Sequence, residues 1–358
     1  MKQGKVRGLL GGIAFAAALV AAPAFADDTA FAGSAETYAE LNALYEKAKA
    51  AGQKEVVIYG AYSVAFAPVW ELFHNRYEGI SVVGNPLRGS ELMARIDAEV
   101  ASGQHVGDMV MAGQTELITI ASTEAGLAWQ PINIGAIPAT LHDPEGKFVL
   151  NFADAVGMVY NKKAMPEAEL PKSLEDLKDP KYKGMVFDDP AGNAITTMSW
   201  TELYAAGKID ADFMKAVVAN GNVVPSVTPL FNNITTGSVA LMPWAAYSRY
   251  LRLEGAGAED VGFATIPGFI IPLNAGTVIL DGAPNEDAVK LLQTWMLTPE
   301  AQAALAEFGF VYPLVPGTPT PEGWMDFAAI TEALPPVAPG DYLAAKKSLL
   351  DAVKAALK

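Results

Sequence analysis

The chain has 358 residues, with 25 Lys and Arg against 40 Asp and Glu, a formal charge of −15, and no cysteine. The lack of Cys excludes disulfides, thiolate metal sites and cysteine nucleophiles together, and the acidic balance, with no run of basic residues, argues against nucleic acid or anionic membrane as partners. A chain of this length exceeds what one hydrophobic core usually organises, so two lobes are expected.

Lys2, Lys5 and Arg7 precede an uncharged stretch from Leu9 to Ala22, and Pro23-Ala24-Phe25-Ala26 follows before Asp27 and Asp28. A basic start, a short apolar run and an A-x-A site form the pattern of a secretory signal peptide, and the run is too short to span a bilayer as a helix. No Cys follows it to carry a lipid anchor. Residues 1–26 are set aside, with cleavage expected after Ala26 and a periplasmic mature chain of formal charge about −18.

After a polar, helix-like stretch from Thr37 to Lys54, Glu55 to Gly60 is a short apolar run ending in Gly and reads as a buried parallel strand. Ser63 is placed to cap a helix carrying Val64, Phe66, Val69, Trp70 and Phe73, and a second strand is expected over Ile80 to Val83. Arg88-Gly89-Ser90 then opens a helix with Leu92, Met93, Ile96 and Val100 on one face, ended by Gly103 before a strand from Asp108 to Met111. This alternation predicts an α/β fold with mostly parallel sheets, in which ligands sit beyond the carboxyl ends of strands, at helix N-termini. Gly60 to Ser63, Arg88 to Ser90 and Gly113 to Thr115 are the segments so placed.

Asn151 to Asn161 and Phe269 to Leu280 are long strand candidates able to link two lobes. Between them lies a block with its own strands, Met185 to Phe187 and Val239 to Pro243, and helices, Ile195 to Ala206 and Asp210 to Ala219. A helix is expected over Asn285 to Met296, an ordered connection over Pro313 to Pro321, and an amphipathic helix over Leu343 to Leu357.

Taken in order, these segments resemble the type II periplasmic solute-binding proteins of ABC importers, in the branch holding the ferric-ion, polyamine, thiamine and phosphonate receptors. The run from Ser173 through Leu174-Glu175-Asp176-Leu177 and Asp179-Pro180-Lys181-Tyr182-Lys183-Gly184 to Met185 is similar to the "SWxDLxDPKYKG" stretch of those families. Val159-Tyr160-Asn161, Thr236-Gly237-Ser238-Val239-Ala240 and Leu297-Thr298-Pro299-Glu300-Ala301-Gln302 add to the likeness, which covers nearly all of the mature chain. The resemblance implies a non-enzymatic receptor of two α/β lobes, joined by two crossing segments, with the ligand at their interface. Carried onto this chain, lobe 1 holds residues 27–157 and 266–312, and lobe 2 holds 158–265 and 313–358.

Candidate ligand contacts follow from position and chemistry. Ser90 and Gly89 open a helix and Arg88 adds charge, which suits an anion; the alternative is an N-cap beside a solvated Arg. Gln114 and Thr115 hold the equivalent place after the third strand. Asp189, Gly192 and Asn193 follow a second-lobe strand where the resembling families place contacts, although turn chemistry accounts for them equally. Trp244 and Tyr247 follow another strand, where aromatics can stack on a ring or hold a cation or else pack in the core. Tyr62 and Ser63 sit in the first loop. Asp154 lies in the first crossing segment, where its partner is either a ligand cation or a charge on the facing lobe.

The ferric receptors of the branch usually carry adjacent tyrosines where this chain has Pro243-Trp244-Ala245-Ala246, and His74, His105 and His142 fit no ligand spacing. No metal and no cofactor is expected, and the reading is a monomeric receptor for a small charged organic solute that docks on importer permease subunits. A ferric-iron receptor and a sensory receptor of the same fold are the alternatives. G-x-S-x-G, the P-loop, H-E-x-x-H and G-x-G-x-x-G are all absent, so a hydrolase has no positive support.

Overall fold

The structure is a computed structural model that describes residues 29–192, 194–264 and 270–358. The expected signal peptide, Asn193 and the lobe boundary at residue 266 lie outside the described residues.

The chain begins with α1 (Ala35–Ala50), β1 (Glu55–Tyr59), α2 (Ala67–Arg76), β2 (Ser81–Asn85), α3 (Gly89–Ser102), β3 (Met109–Gly113) and α4 (Gln114–Ala121). The long strand β4 (Val149–Asn161) leads to β5 (Met185–Asp188), α5 (Ile195–Ala205), α6 (Ala211–Asn220), β6 (Gly221–Val224), β7 (Leu241–Ala246), α7 (Tyr247–Gly255) and β8 (Val261–Ala264). The chain returns through β9 (Ile271–Ile279) to α8 (Glu286–Trp295), α9 (Pro299–Glu307), β10 (Tyr312–Pro313), α10 (Phe327–Ala333) and α11 (Pro339–Ala356). No helix among the described residues is long and apolar enough to cross a membrane.

Local chemistry sets many of these ends. Ser34 caps α1 by accepting from the Thr37 amide, Asp210 caps α6 by accepting from Phe213, and Thr298 with Pro299 starts α9. Gly103 closes α3 with a φ of 64°. Ser63 is a correction: α2 starts only at Ala67, behind Pro68 in its first turn, and Ser63 sits in the preceding turn. Its hydroxyl donates to Gly60 O at 2.8 Å, and its carbonyl accepts from Trp70 Nε1 at 2.6 Å. Gly60 itself has φ 123°, and a side chain there would meet Met111 O at 2.1 Å.

The sheet is mixed rather than mostly parallel. β1 pairs in parallel with β2 and β3, and β5 with β6, as strand–helix alternation dictates. β9, however, runs antiparallel to both β3 and β4, and β4 takes β7, β8 and β10 antiparallel as well. The cause is the crossing itself: β4 leaves the first set of strands and β9 comes back alongside it, paired from Val149↔Thr277 to Val156↔Ile271.

Each end of this crossing pair is buried in a different core. Phe152 of β4 and Ala275 and Ile279 of β9 pack with Phe66, Phe73, Trp295 and Leu305, under α1, α2, α8 and α9. Val156 and Met158 of β4 and Ile271 and Leu273 of β9 pack with Phe187, Trp200, Phe213 and Trp244, beneath α5, α6 and α11. The result is two α/β lobes sharing two strands. The run from Ser173 to Met185 forms two 3-10 turns, Glu175–Lys178 and Pro180–Tyr182, that feed β5. Asn220 at the end of α6 ties them down by donating to Leu177 O and Asp179 O.

Candidate functional site

A cavity of about 430 Å³ opens where the strand ends of the two lobes face each other, within the range of small-molecule sites. One wall carries Tyr62 from the β1–α2 loop, Arg88, Gly89 and Ser90 at the start of α3, and Glu116 in the first turn of α4. The other carries Asp188 at the end of β5, Ile195 and Met198 of α5, the loop from Pro225 to Thr228, and Ser248, Arg249 and Arg252 of α7. Asp154 of β4 lies between them.

Of the residues singled out in sequence, Tyr62, Arg88, Gly89, Ser90 and Asp154 line this cavity. The others do not. Ser63 is fully buried beneath its loop. Gln114 and Thr115 are buried against the second lobe, Gln114 Nε2 donating to Glu202 Oε1 at 3.4 Å and Thr115 lying beside Thr197, Thr201 and Tyr342. Asp189 is exposed and shapes a turn: its carboxylate accepts from Ala191 N at 2.9 Å and its carbonyl from Gly192 N at 3.0 Å.

Trp244 is 1% exposed and packs edge-on against Phe187 at 5.2 Å and Trp200 at 5.4 Å, so it belongs to the core. The cavity wall there is made by Ala245 and Ala246. Tyr247 is likewise buried, stacked at 5.9 Å on Tyr250 and 4.8 Å from the Phe263 ring. The face of α7 turned to the cavity is the one bearing Ser248, Arg249 and Arg252.

Asp154 is nearly inaccessible and well satisfied. Its Oδ1 accepts from Ala155 N at 2.9 Å and Ser248 N at 3.2 Å, and its Oδ2 accepts from Ser248 Oγ at 2.5 Å. Burial raises its pKa; the Ser248 bonds and the Arg252 charge pull the other way. Arg252 in turn donates to Gly309 O at 2.7 Å and Ser248 O at 3.3 Å. This carboxylate therefore buttresses the start of α7 on the crossing strand through hydrogen bonds, with no ion pair to it among the described residues.

Asp188 accepts from Val227 N at 2.6 Å and so holds the loop that presents Thr228. Burial pushes its pKa up to about 6 against the pull of Arg249 and Arg88. Arg88 from the first lobe and Arg249 from the second both donate to Thr228 Oγ1, at 3.4 and 3.0 Å. Arg249 lies over the Phe231 ring, 5.4 Å from its centre, and its pKa is lowered by burial and by facing Arg88. Glu116 is half-buried, and burial raises its pKa while Lys346 and Arg88 oppose. Tyr62 sits edge-on to Phe152 at 4.9 Å, and burial pushes its phenol up, away from phenolate at neutral pH.

No group of three or more His, Asp or Glu side chains able to hold a metal ion occurs among the described residues. The residues that sequence reasoning missed are Glu116, Asp188, Thr228, Ser248, Arg249 and Arg252. The signal for three of them was available, since Ser248, Arg249 and Arg252 follow a strand end and share one face of a helix.

A cavity lined by charged side chains and enclosed by two α/β lobes on a pair of shared strands is the architecture of a solute receptor. Residues 60–303 match the family described as bacterial extracellular solute-binding protein, and the chain belongs to that family. The chain is the substrate-binding component of an ABC-type importer. It is similar to Iron uptake protein A1 of Synechocystis sp. (strain ATCC 27184 / PCC 6803 / Kazusa), 27% identical over 250 residues that span 65% of this chain and 68% of the relative. Among solved structures it resembles iron-bound HitA from Pseudomonas aeruginosa, with a TM-score of 0.70 and 19% identity over 84% of this chain and 99% of that one. The substrate-binding protein of an ABC transporter from Agrobacterium tumefaciens shares the fold at a TM-score of 0.69 and 15% identity, covering 85% of this chain and 94% of the other.

Proposed function

We propose that this receptor captures a small charged organic solute in the interlobe cavity, in the periplasm, and presents it to the permease subunits once the lobes have closed. The observation that carries the reading is the wall itself: charged side chains from both lobes reach one cavity, and Arg88 and Arg249 meet at a single hydroxyl across it. A solute that contacts both walls favours the closed arrangement by its differential affinity for it, and hinge closure supplies the shape that the permease reads. On this reading the lobes comprise residues 27–157 with 266–312 and 158–265 with 313–358, the first 26 residues direct export, and the chain acts as a monomer without catalysis.

Ferric iron is a second reading, favoured by the likeness to Iron uptake protein A1. The donor set weighs against it: Asp154 already accepts from Ser248 and Ala155, and Tyr62 is held protonated by burial. Thermal-shift screening of the mature protein against amines, phosphonates, sugar phosphates, carboxylates and ferric iron tests the choice, because a ligand that binds only the folded form raises the melting temperature. An organic solute that raises it and also reduces the radius of gyration in solution scattering is expected. A shift with ferric iron alone would transfer the assignment to iron, and turnover of any screened compound would end the non-enzymatic reading.

A further inference from the structure

Two guanidiniums on one neutral oxygen are an unusual arrangement. Arg88 reaches Thr228 Oγ1 from the N-terminus of α3 in one lobe, and Arg249 reaches the same atom from α7 in the other. Among the described residues no carboxylate lies within ion-pairing distance of either. Asp188 is near, but its Oδ1 is engaged by Val227 N, where it fixes the loop carrying Thr228. Asp154 is held by Ser248 and faces Arg252. Each guanidinium has five N–H donors in a planar fork suited to oxyanions, and one hydroxyl oxygen engages only a small part of them.

We infer that Arg88 and Arg249 form an oxyanion clamp across the cleft, so that the solute is one with a terminal carboxylate or phosphonate/phosphate group gripped by one arginine from each lobe. The inference rests on the receptor reading above and gives its solute a sign. The geometry ties recognition to closure: a group with oxygens on two sides engages both forks only when the lobes are together, and it screens two like charges that otherwise repel. Burial of Arg249 and its opposition to Arg88 lower its pKa, and the charges of Asp188 and Asp154 offset this only in part. Leu92, Met198 and Phe231 elsewhere on the wall favour a short, partly apolar body behind the charged head.

The test uses the mature protein with 2-aminoethylphosphonate, methylphosphonate, succinate and inorganic phosphate as oxyanion probes, and putrescine, choline, glucose and ferric iron as the comparison set. Calorimetric titration is expected to show binding of at least one oxyanion probe, with the phosphonate and carboxylate arms separating the two head groups. Arg88→Gln and Arg249→Gln are each expected to weaken it roughly 10- to 100-fold, as loss of a charged hydrogen-bond donor does. Arg249→Lys should lose less, and melting temperatures without probe should match the parent, which separates lost recognition from lost folding. Oxyanion binding that survives both Gln variants within twofold overturns the clamp. Binding and compaction with only a cationic, neutral or ferric probe overturns it too, yet leaves the chain a receptor; no response to any probe counts against both.

Discussion

Glu202 of α5 is 2% exposed and joins three parts of the molecule. Its Oε2 accepts from Val337 N at 2.7 Å, ahead of α11, and its Oε1 faces Gln114 Nε2 at 3.4 Å, at the start of α4. Burial, opposed by the Val337 bond, pushes its pKa from 4.5 up to about 8. The folded protein thus keeps a proton that the unfolded chain releases above pH 4.5, so unfolding releases a proton throughout that window and rising pH favours the unfolded state. At about 1.4 kcal/mol per pKa unit, the stability lost by pH 8 is capped at about 5 kcal/mol.

Glu202→Gln removes the titration while retaining an acceptor for Val337. It also offers an N–H to Gln114 Oε1, a buried oxygen without a partner, once the Gln114 amide is turned over. Urea unfolding of both proteins at pH 5, 6.5, 8 and 9 should show the variant gaining on the parent as pH rises, by at least about 2 kcal/mol between pH 5 and 8, and levelling beyond. Parallel stability curves across that range would refute the protonated Glu202.

Other substitutions probe the scaffold around the site. Ser248→Ala strips Asp154 of its 2.5 Å hydroxyl donor in a buried setting and should cost about 1–3 kcal/mol in chemical unfolding. Trp244→Ala should cost about 3–5 kcal/mol because it empties the contact with Phe187 and Trp200, whereas Trp244→Phe should leave the solute affinity of the folded protein unchanged by calorimetry; a large affinity loss there would return Trp244 to the cleft. Arg76→Ala breaks a two-pronged pair with Glu300, which also accepts from Trp295 Nε1 at 2.9 Å, and leaves a buried carboxylate behind; thermal melts should register a loss of about 3–5 kcal/mol. Gly276→Ala would place Cβ 1.9 Å from Val149 O at the irregular pairing of β4 with β9, and the soluble yield of the variant should fall sharply.

Many of the elements were legible in the sequence because those have a local cause. The Val-Val-Ile run of β1, Gly103 ending α3, Asp210 capping α6 and the long apolar runs of β4 and β9 all appear where hydrophobic period and cap chemistry put them. Strand direction was not, since nothing local tells β9 that it returns beside β4, and the pairing of distant segments decides it. The first-lobe side of the site was readable in part: Tyr62 and Arg88 to Ser90 follow strand ends and line the cavity, whereas Ser63, Gln114 and Thr115, chosen on the same ground, are buried away from it.

On the second-lobe side, parity governs. Asp188 and Asp189 are adjacent carboxylates, yet the former turns inward to hold the Thr228 loop and the latter shapes an exposed turn. Trp244 and Ala245 divide in the same way, and there the core wins the larger group because a buried Trp gains far more by leaving water than an Ala does. That competition clears the wall of bulk at Ala245 and Ala246 and leaves room for Ser248, Arg249 and Arg252 just beyond, so the aromatic that looked like a ligand contact acts instead by holding up the strand that leads into the arginine-bearing α7.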